Sequence, residues 1–126
     1  MAAAKSFEQD GVTYWSIGRE GRGSAVGVHL LPIYDEYLVS YRDRVAVPHG
    51  PSYIRCGSTL VGFRHALVID GQVAGTWRPE PGGDGPAVVV TPMRQLSRDE
   101  RRGIDAAVAR YGRFLNLAVS AAVTPP

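Results

Sequence analysis

With 126 residues, 44% of them apolar and 21% charged, the chain has one domain's length and an ordinary globular balance, which excludes a disordered or low-complexity polymer. Its net charge is only +2, so composition permits nucleic acid as a partner without singling it out, because binders usually carry a concentrated basic face. No stretch approaches the run of about 18 apolar residues that a membrane span needs, and Met1 to Lys5 has no hydrophobic signal core. A single cytoplasmic domain over residues 1–126 is expected, with no membrane partner and with loose tails at 1–6 and 118–126.

From the N-terminus, Phe7 to Ile17 reads as two short strands around Asp10-Gly11, a dipeptide suited to a tight hairpin turn. Val12, Tyr14 and Ser16 face one way, and Thr13, Trp15 and Ile17 the other. Gly18 to Gly23 reads as a surface loop. Val26 to Leu31 is an apolar run stopped by Pro32. Tyr34 to Tyr41 suits a helical turn or two, with Asp35 and Glu36 where carboxylates favour a helix start. Pro48, Gly50 and Pro51 break the chain again. A long hairpin follows: Thr59 to Ile69 runs out, Asp70-Gly71 turns, and Gln72 to Trp77 returns. Pro79 to Pro86 reads as a flexible loop, and Ala87 to Thr91 as a further strand.

Ser97-Arg-Asp-Glu100 is a capping box, in which serine and glutamate satisfy exposed backbone donors at a helix start. After it, Ile104, Ala107, Val108, Tyr111, Phe114 and Leu115 recur at helical spacing and mark a core-facing stripe. Arg98, Arg101, Arg102, Arg110 and Arg113 fall on the remaining surface. The fold class is therefore α+β: an antiparallel β-sheet or small partly closed β-barrel with a C-terminal α-helix packed on it.

No familiar catalytic signature is present: no phosphate-cradling Gly-rich loop with its lysine, no Gly-x-Ser-x-Gly elbow, no paired histidines at metal spacing. His29, His49 and His65 fall in different elements, and the single cysteine, Cys56, reads as a small half-buried thiol; no metal or cofactor is expected. The densest polar cluster is Asp35, Glu36, Tyr37, Tyr41, Arg42, Asp43 and Arg44. Adjacent carboxylates serve as acid and base when one is buried, but the commoner use of such clusters is a set of structural ion pairs. Trp77 and Arg78 end the main hairpin. That pairing suits either a base stack with a phosphate contact or a core tryptophan beside a solvated edge arginine. The arginines of the last helix offer a phosphate-facing surface interrupted by Asp99, Glu100 and Asp105.

Together these segments resemble the C-terminal part of winged-helix DNA-binding domain-containing proteins. The resemblance rests on Gly11-Val-Thr-Tyr-Trp15, on Leu30-Leu-Pro-Ile-Tyr-Asp-Glu-Tyr-Leu-Val-Ser-Tyr-Arg-Asp-Arg44 and on Val68-Ile-Asp-Gly-Gln-Val-Ala-Gly-Thr-Trp-Arg78. It continues through Val90, Thr91, Pro92, Leu96 and Ser97 into the closing helix, and covers residues 10–116. The family includes bacterial DNA glycosylases that unhook alkylated or crosslinked purines. It implies tandem winged helices followed by a β-barrel-like domain, with a catalytic Gln-x-Gln motif in the winged-helix part. Here Gln9, Gln72 and Gln95 are the only glutamines, and no two are separated by a single residue. No catalytic residue is carried over.

The resemblance thus implies a non-catalytic module that supports binding of double-stranded DNA or a winged-helix partner. Arg42, Arg44, Trp77 and Arg78 are its candidate DNA contacts. The alternatives are an interaction domain without DNA contact, open to homo-oligomerisation, and a small enzyme built on Asp35 and Glu36.

Overall fold

The computed structural model describes residues 3–18, 26–39, 55–56, 59–60, 64–82 and 85–126. In chain order these residues form β1 (Ala4–Gln9), β2 (Val12–Ile17), β3 (Val28–Leu31), the one-turn helix α1 (Glu36–Val39) and β4 (Arg55–Cys56). They continue as β5 (Thr59–Leu60), β6 (His65–Ile69), β7 (Gln72–Glu80), β8 (Ala87–Pro92), α2 (Arg98–Leu115) and β9 (Ser120–Val123).

Both Asp-Gly pairs turn hairpins, as the sequence predicts. Asp10 and Gly11 have φ of 52° and 75°, Asp70 and Gly71 of 50° and 78°. Two consecutive positive φ values match the twist of the flanking strands, and Asp followed by Gly tolerates them. The first turn joins β1 to β2, with Phe7 stacked on Tyr14 at a centroid separation of 5.3 Å. The second joins β6 to β7 inside a five-stranded sheet ordered β3-β6-β7-β8-β9.

The fold is α+β, but the sheet is mixed rather than antiparallel throughout. β3, β6, β7 and β8 pair antiparallel in turn, whereas β9 runs parallel to β8. Among the described residues no pairing joins β3 to β9, so the sheet is open and the partly closed barrel is not formed. α2 lies against both edge strands and covers the face between them.

Strand alternation sorts the core onto two sides of this sheet. Leu67, Ile69, Trp77, Val88 and Val90 pack beneath α2 against Ile104, Ala107 and Val108. Ala66, Val68 and Val73 form a smaller cluster on the opposite face, closed by Leu38 of α1. The pairing of β6 with β7 slips between Leu67 and Val68, an irregularity that leaves Ala74 without an opposing residue. At this bulge β8 comes so near that a Cβ on Gly75 would lie 2.3 Å from the Thr91 carbonyl oxygen. Glycine is required there by space. Gly103 lets α2 approach β3 in the same way, since a Cβ would lie 2.5 Å from Val28 Cγ2.

The capping box forms as read from the sequence. Ser97 Oγ accepts from the Glu100 N–H at 3.1 Å, and Glu100 Oε2 accepts from the Ser97 N–H at 2.8 Å. At the other end Asn116 is left-handed, with φ 55°, and the Leu117 N–H returns to the Gly112 carbonyl at 3.0 Å. That reversal lays the following chain against Gly112, which is buried, and leaves Phe114 84% exposed. The expected core stripe is corrected accordingly: Ile104, Ala107 and Val108 are buried, whereas Phe114 and Leu115 face outward.

Both segments expected to be loose contain strands. Residues 4–6 open β1, and Ser120 to Val123 form the parallel edge β9, whose Ala121 and Val123 pack on the core. β7 also runs three residues further than expected, through Pro79 to Glu80. A proline is tolerated there because β6 ends opposite Trp77, so the flank of β7 at Pro79 has no described neighbour awaiting a donor.

Candidate nucleic-acid interface

The segment carrying the most specific sequence pattern is built around a turn. Ile33 and Tyr34 are its central residues; Tyr34 is left-handed, with φ 60°, and the Asp35 N–H returns to the Pro32 carbonyl at 3.3 Å. Asp35 then caps α1. Its Oδ1 accepts from the Tyr37 N–H at 2.9 Å, and its carbonyl accepts from the Leu38 N–H at 2.9 Å. Tyr37 reaches across to the second hairpin and donates its hydroxyl to the Gly71 carbonyl. Glu36 is exposed.

The Gly71 turn is tied from a second side. Asp70 Oδ1 accepts from the Gly27 N–H at 2.7 Å, and the Asp70 N–H donates to the Gly27 carbonyl at 2.8 Å. Asp35, Tyr37 and Asp70 therefore fix one end of the sheet by local hydrogen bonds. Tyr41, Arg42, Asp43 and Arg44 lie outside the described residues, as does His49, and nothing is described of the Cys56 side chain.

Trp77 and Arg78, adjacent in sequence, point to opposite faces. Trp77 is 8% exposed and donates Nε1–H to the Leu31 carbonyl at 3.0 Å. Its ring stacks on His65 at 4.5 Å and meets the edge of Tyr111 at 5.4 Å. The packing makes Trp77 a core residue with no open ring face for a base, so it is withdrawn from the candidate DNA contacts. Arg78 stays exposed on the face away from α2, paired with Glu80 at 3.0 Å. Both side chains are largely in water, so the pair holds the guanidinium only weakly.

The tryptophan open to solvent is instead Trp15, 71% accessible on β2 beside Ile17 at 78%. The alternation along Val12–Ile17 places these two on one side of the hairpin. It gives no sign that this side would remain uncovered, because an exposed and a buried face read alike in sequence.

α2 supplies the densest described set of cations. Arg98, Arg101, Arg102, Arg110 and Arg113 are all exposed. At about 100° per residue, Arg98, Arg102 and Arg113 fall on one outer stripe about 20 Å long. Asp99 touches Arg102 at 3.8 Å in fully solvated surroundings. Arg110 differs from the others, because its Nη2 bonds the Val28 carbonyl at 3.2 Å.

Sequence reasoning also missed Arg94. Its Nη2 and Nη1 grip the Glu100 carboxylate at 2.8 and 3.0 Å, and Nη1 also bonds the Gln95 carbonyl at 3.1 Å. Glu100 thus serves the capping box and a bidentate ion pair at once. The Arg94 hydrogen bonds, followed by the Ser97 N–H, hold its carboxyl at about 2 instead of 4.5. Among the described residues no three His, Cys, Asp or Glu side chains come together as a metal site, and no helix is long and apolar enough to cross a membrane.

Comparison with known proteins places this architecture. The chain matches the Streptomyces sahachiroi DNA glycosylase AlkZ in structure, with a TM-score of 0.64 and 20% identity over 96% of this chain and 33% of that one. At that identity the likeness shows a shared fold alone, and the chain spans about a third of the AlkZ chain's length. No curated protein matches. The sequence profile described as DNA glycosylase AlkZ-like matches residues 3–114, nearly the whole chain, and by that match the protein belongs to the AlkZ-like DNA glycosylase family.

Proposed function

We propose that this chain is a non-catalytic module of a DNA-repair protein family, supporting the binding of double-stranded DNA or of a winged-helix partner. The observation that carries the reading is the family match over residues 3–114 in a sequence whose three glutamines form no Gln-x-Gln pair. The arginines fit a phosphate-contacting role. Arg78 and the Arg98, Arg102 and Arg113 stripe are solvent-facing and, among the described residues, bound by nothing stronger than surface ion pairs, so a phosphate competes for them readily. Arg42 and Arg44 join them as candidates from the segment that resembles the family most closely.

The test is fluorescence anisotropy with a labelled duplex, intact and abasic, on the full chain and on an Arg42→Ala, Arg44→Ala, Arg78→Ala variant. Weaker binding by the variant on both duplexes is expected. Unchanged binding removes these three residues from the interface. Strand scission or base release by the chain alone contradicts the non-catalytic reading.

One observation favours a second reading, a protein-interaction domain without DNA contact. Trp15 and Ile17 on β2 and Phe114 on α2 are open to solvent, more apolar exposure than a hairpin and a helix need if nothing covers them. Light scattering across a concentration series separates the two: self-association in the absence of any DNA affinity supports this second reading.

A further inference from the structure

Among the described residues, the outer edge of β3 is an unfilled place in the sheet. Gly27 and Asp70 bond each other at the start of the β3–β6 ladder, so the alternation of an antiparallel pair turns His29 and Leu31 toward β6. Val28 and Leu30 then point their backbone groups outward. The Arg110 bond to the Val28 carbonyl agrees, since it reaches that oxygen from the side away from β6. Among the described residues no strand pairs with this edge, which leaves the Val28 N–H and both Leu30 groups facing out.

Two adjoining grooves, of about 470 and 300 Å³, run along the same edge beneath α2 and share His29 and Arg110. Their helical wall is Gly103, Ala106, Ala107, Arg110 and Tyr111, small at one end and aromatic at the other. Among the described residues no carboxylate lines either groove. The edge therefore combines outward backbone donors and an acceptor, room for side chains on the helix side, and one fixed cation.

We propose that β3 accepts an extended peptide as a sixth strand of the sheet, apolar toward α2 and carrying a carboxylate at Arg110. Backbone pairing supplies affinity and the grooves select alternate side chains, the physics of strand addition. A peptide fits better than nucleic acid, because the described lining of the grooves is mostly apolar and holds a single arginine. It also fits better than a second copy of this chain, because symmetric pairing of two β3 edges brings a second Arg110 toward the first.

The test is selection of a phage-displayed random peptide library on the immobilised full chain, followed by affinity measurement with synthetic copies of the enriched peptides. Enriched sequences should alternate apolar and polar residues and hold an acid at one position. Their affinity should fall about tenfold or more in Arg110→Glu and in Ala106→Trp, which fills the groove from an exposed helix position and leaves the ladder untouched. Exchanging the peptide's acid for lysine should restore binding to Arg110→Glu. Leu30→Pro removes an outward donor and should also abolish binding, with the near-ultraviolet signal of Trp77 showing that the sheet is intact. Enrichment of nothing, or of peptides indifferent to both Arg110→Glu and Ala106→Trp, overturns the proposal. So does a dimer that Ala106→Trp dissociates.

Discussion

Replacing Glu100 by Gln isolates a charge at the best-defined helix start in the molecule. Glutamine keeps the length and the acceptor needed for the capping box, so the Ser97 N–H retains a partner. It removes the charge gripped by Arg94. The folded carboxyl titrates at about 2 against 4.5, a difference that at about 1.4 kcal/mol per pH unit sets an upper limit of about 3.5 kcal/mol. Arg94's side chain is 49% exposed although Glu100's is only 15%, and screening by water reduces the figure to about 1–2 kcal/mol. The sign follows from the depressed value. The contribution is complete above about pH 4.5 and disappears as pH falls through about 2. Urea unfolding of wild type and Glu100→Gln should therefore differ by about 1–2 kcal/mol at pH 7, with the gap closing between pH 4 and pH 2. A gap that is equally wide at both ends of that range would show that the variant acts through shape and not through charge, and would refute the assignment.

Other substitutions probe the core and the surface. Gly75→Ala drives a Cβ into the Thr91 carbonyl at the bulge and should cost about 2–3 kcal/mol, seen as a lower urea midpoint at unchanged m-value. Trp77→Phe removes the indole donor to the Leu31 carbonyl and part of the packing against His65 and Tyr111, and should cost about 1–3 kcal/mol. The same variant leaves Trp15 as the only tryptophan, so its emission should be red-shifted and readily quenched by acrylamide, whereas Trp15→Phe should give blue-shifted, protected emission from Trp77. Phe114→Ser should alter stability by no more than about 0.5 kcal/mol, because the ring packs on little; a larger loss by thermal unfolding would place it in a contact.

What was legible in the sequence is what local chemistry determines. Asp-Gly at 10–11 and 70–71 predicts two hairpins because few other dipeptides accept two positive φ values in a row. The Ser97 to Glu100 spacing predicts a helix start because serine and glutamate answer each other only one turn apart. Features that depend on a distant partner were not legible. Arg94 finds Glu100 only once the turn before α2 has formed. Phe114 has the spacing of a core residue, yet the chain reversal at Asn116 packs against Gly112 instead. The Ala-rich segment at 120–123 has weak β propensity and becomes a strand because β8 offers it an edge. Trp77 was open to two readings, since adjacency to an arginine says nothing about which side of a sheet each one takes.

The central claim, that this family member has a DNA-associated role, is tested most directly by equilibrium binding of the full chain to a labelled duplex across a salt series. Phosphate contacts release condensed counterions, so the account predicts a logarithmic affinity that falls linearly with logarithmic salt, with a slope of about −0.9 per phosphate engaged. Absence of binding even at the lowest salt, or binding that salt leaves unchanged, would contradict it.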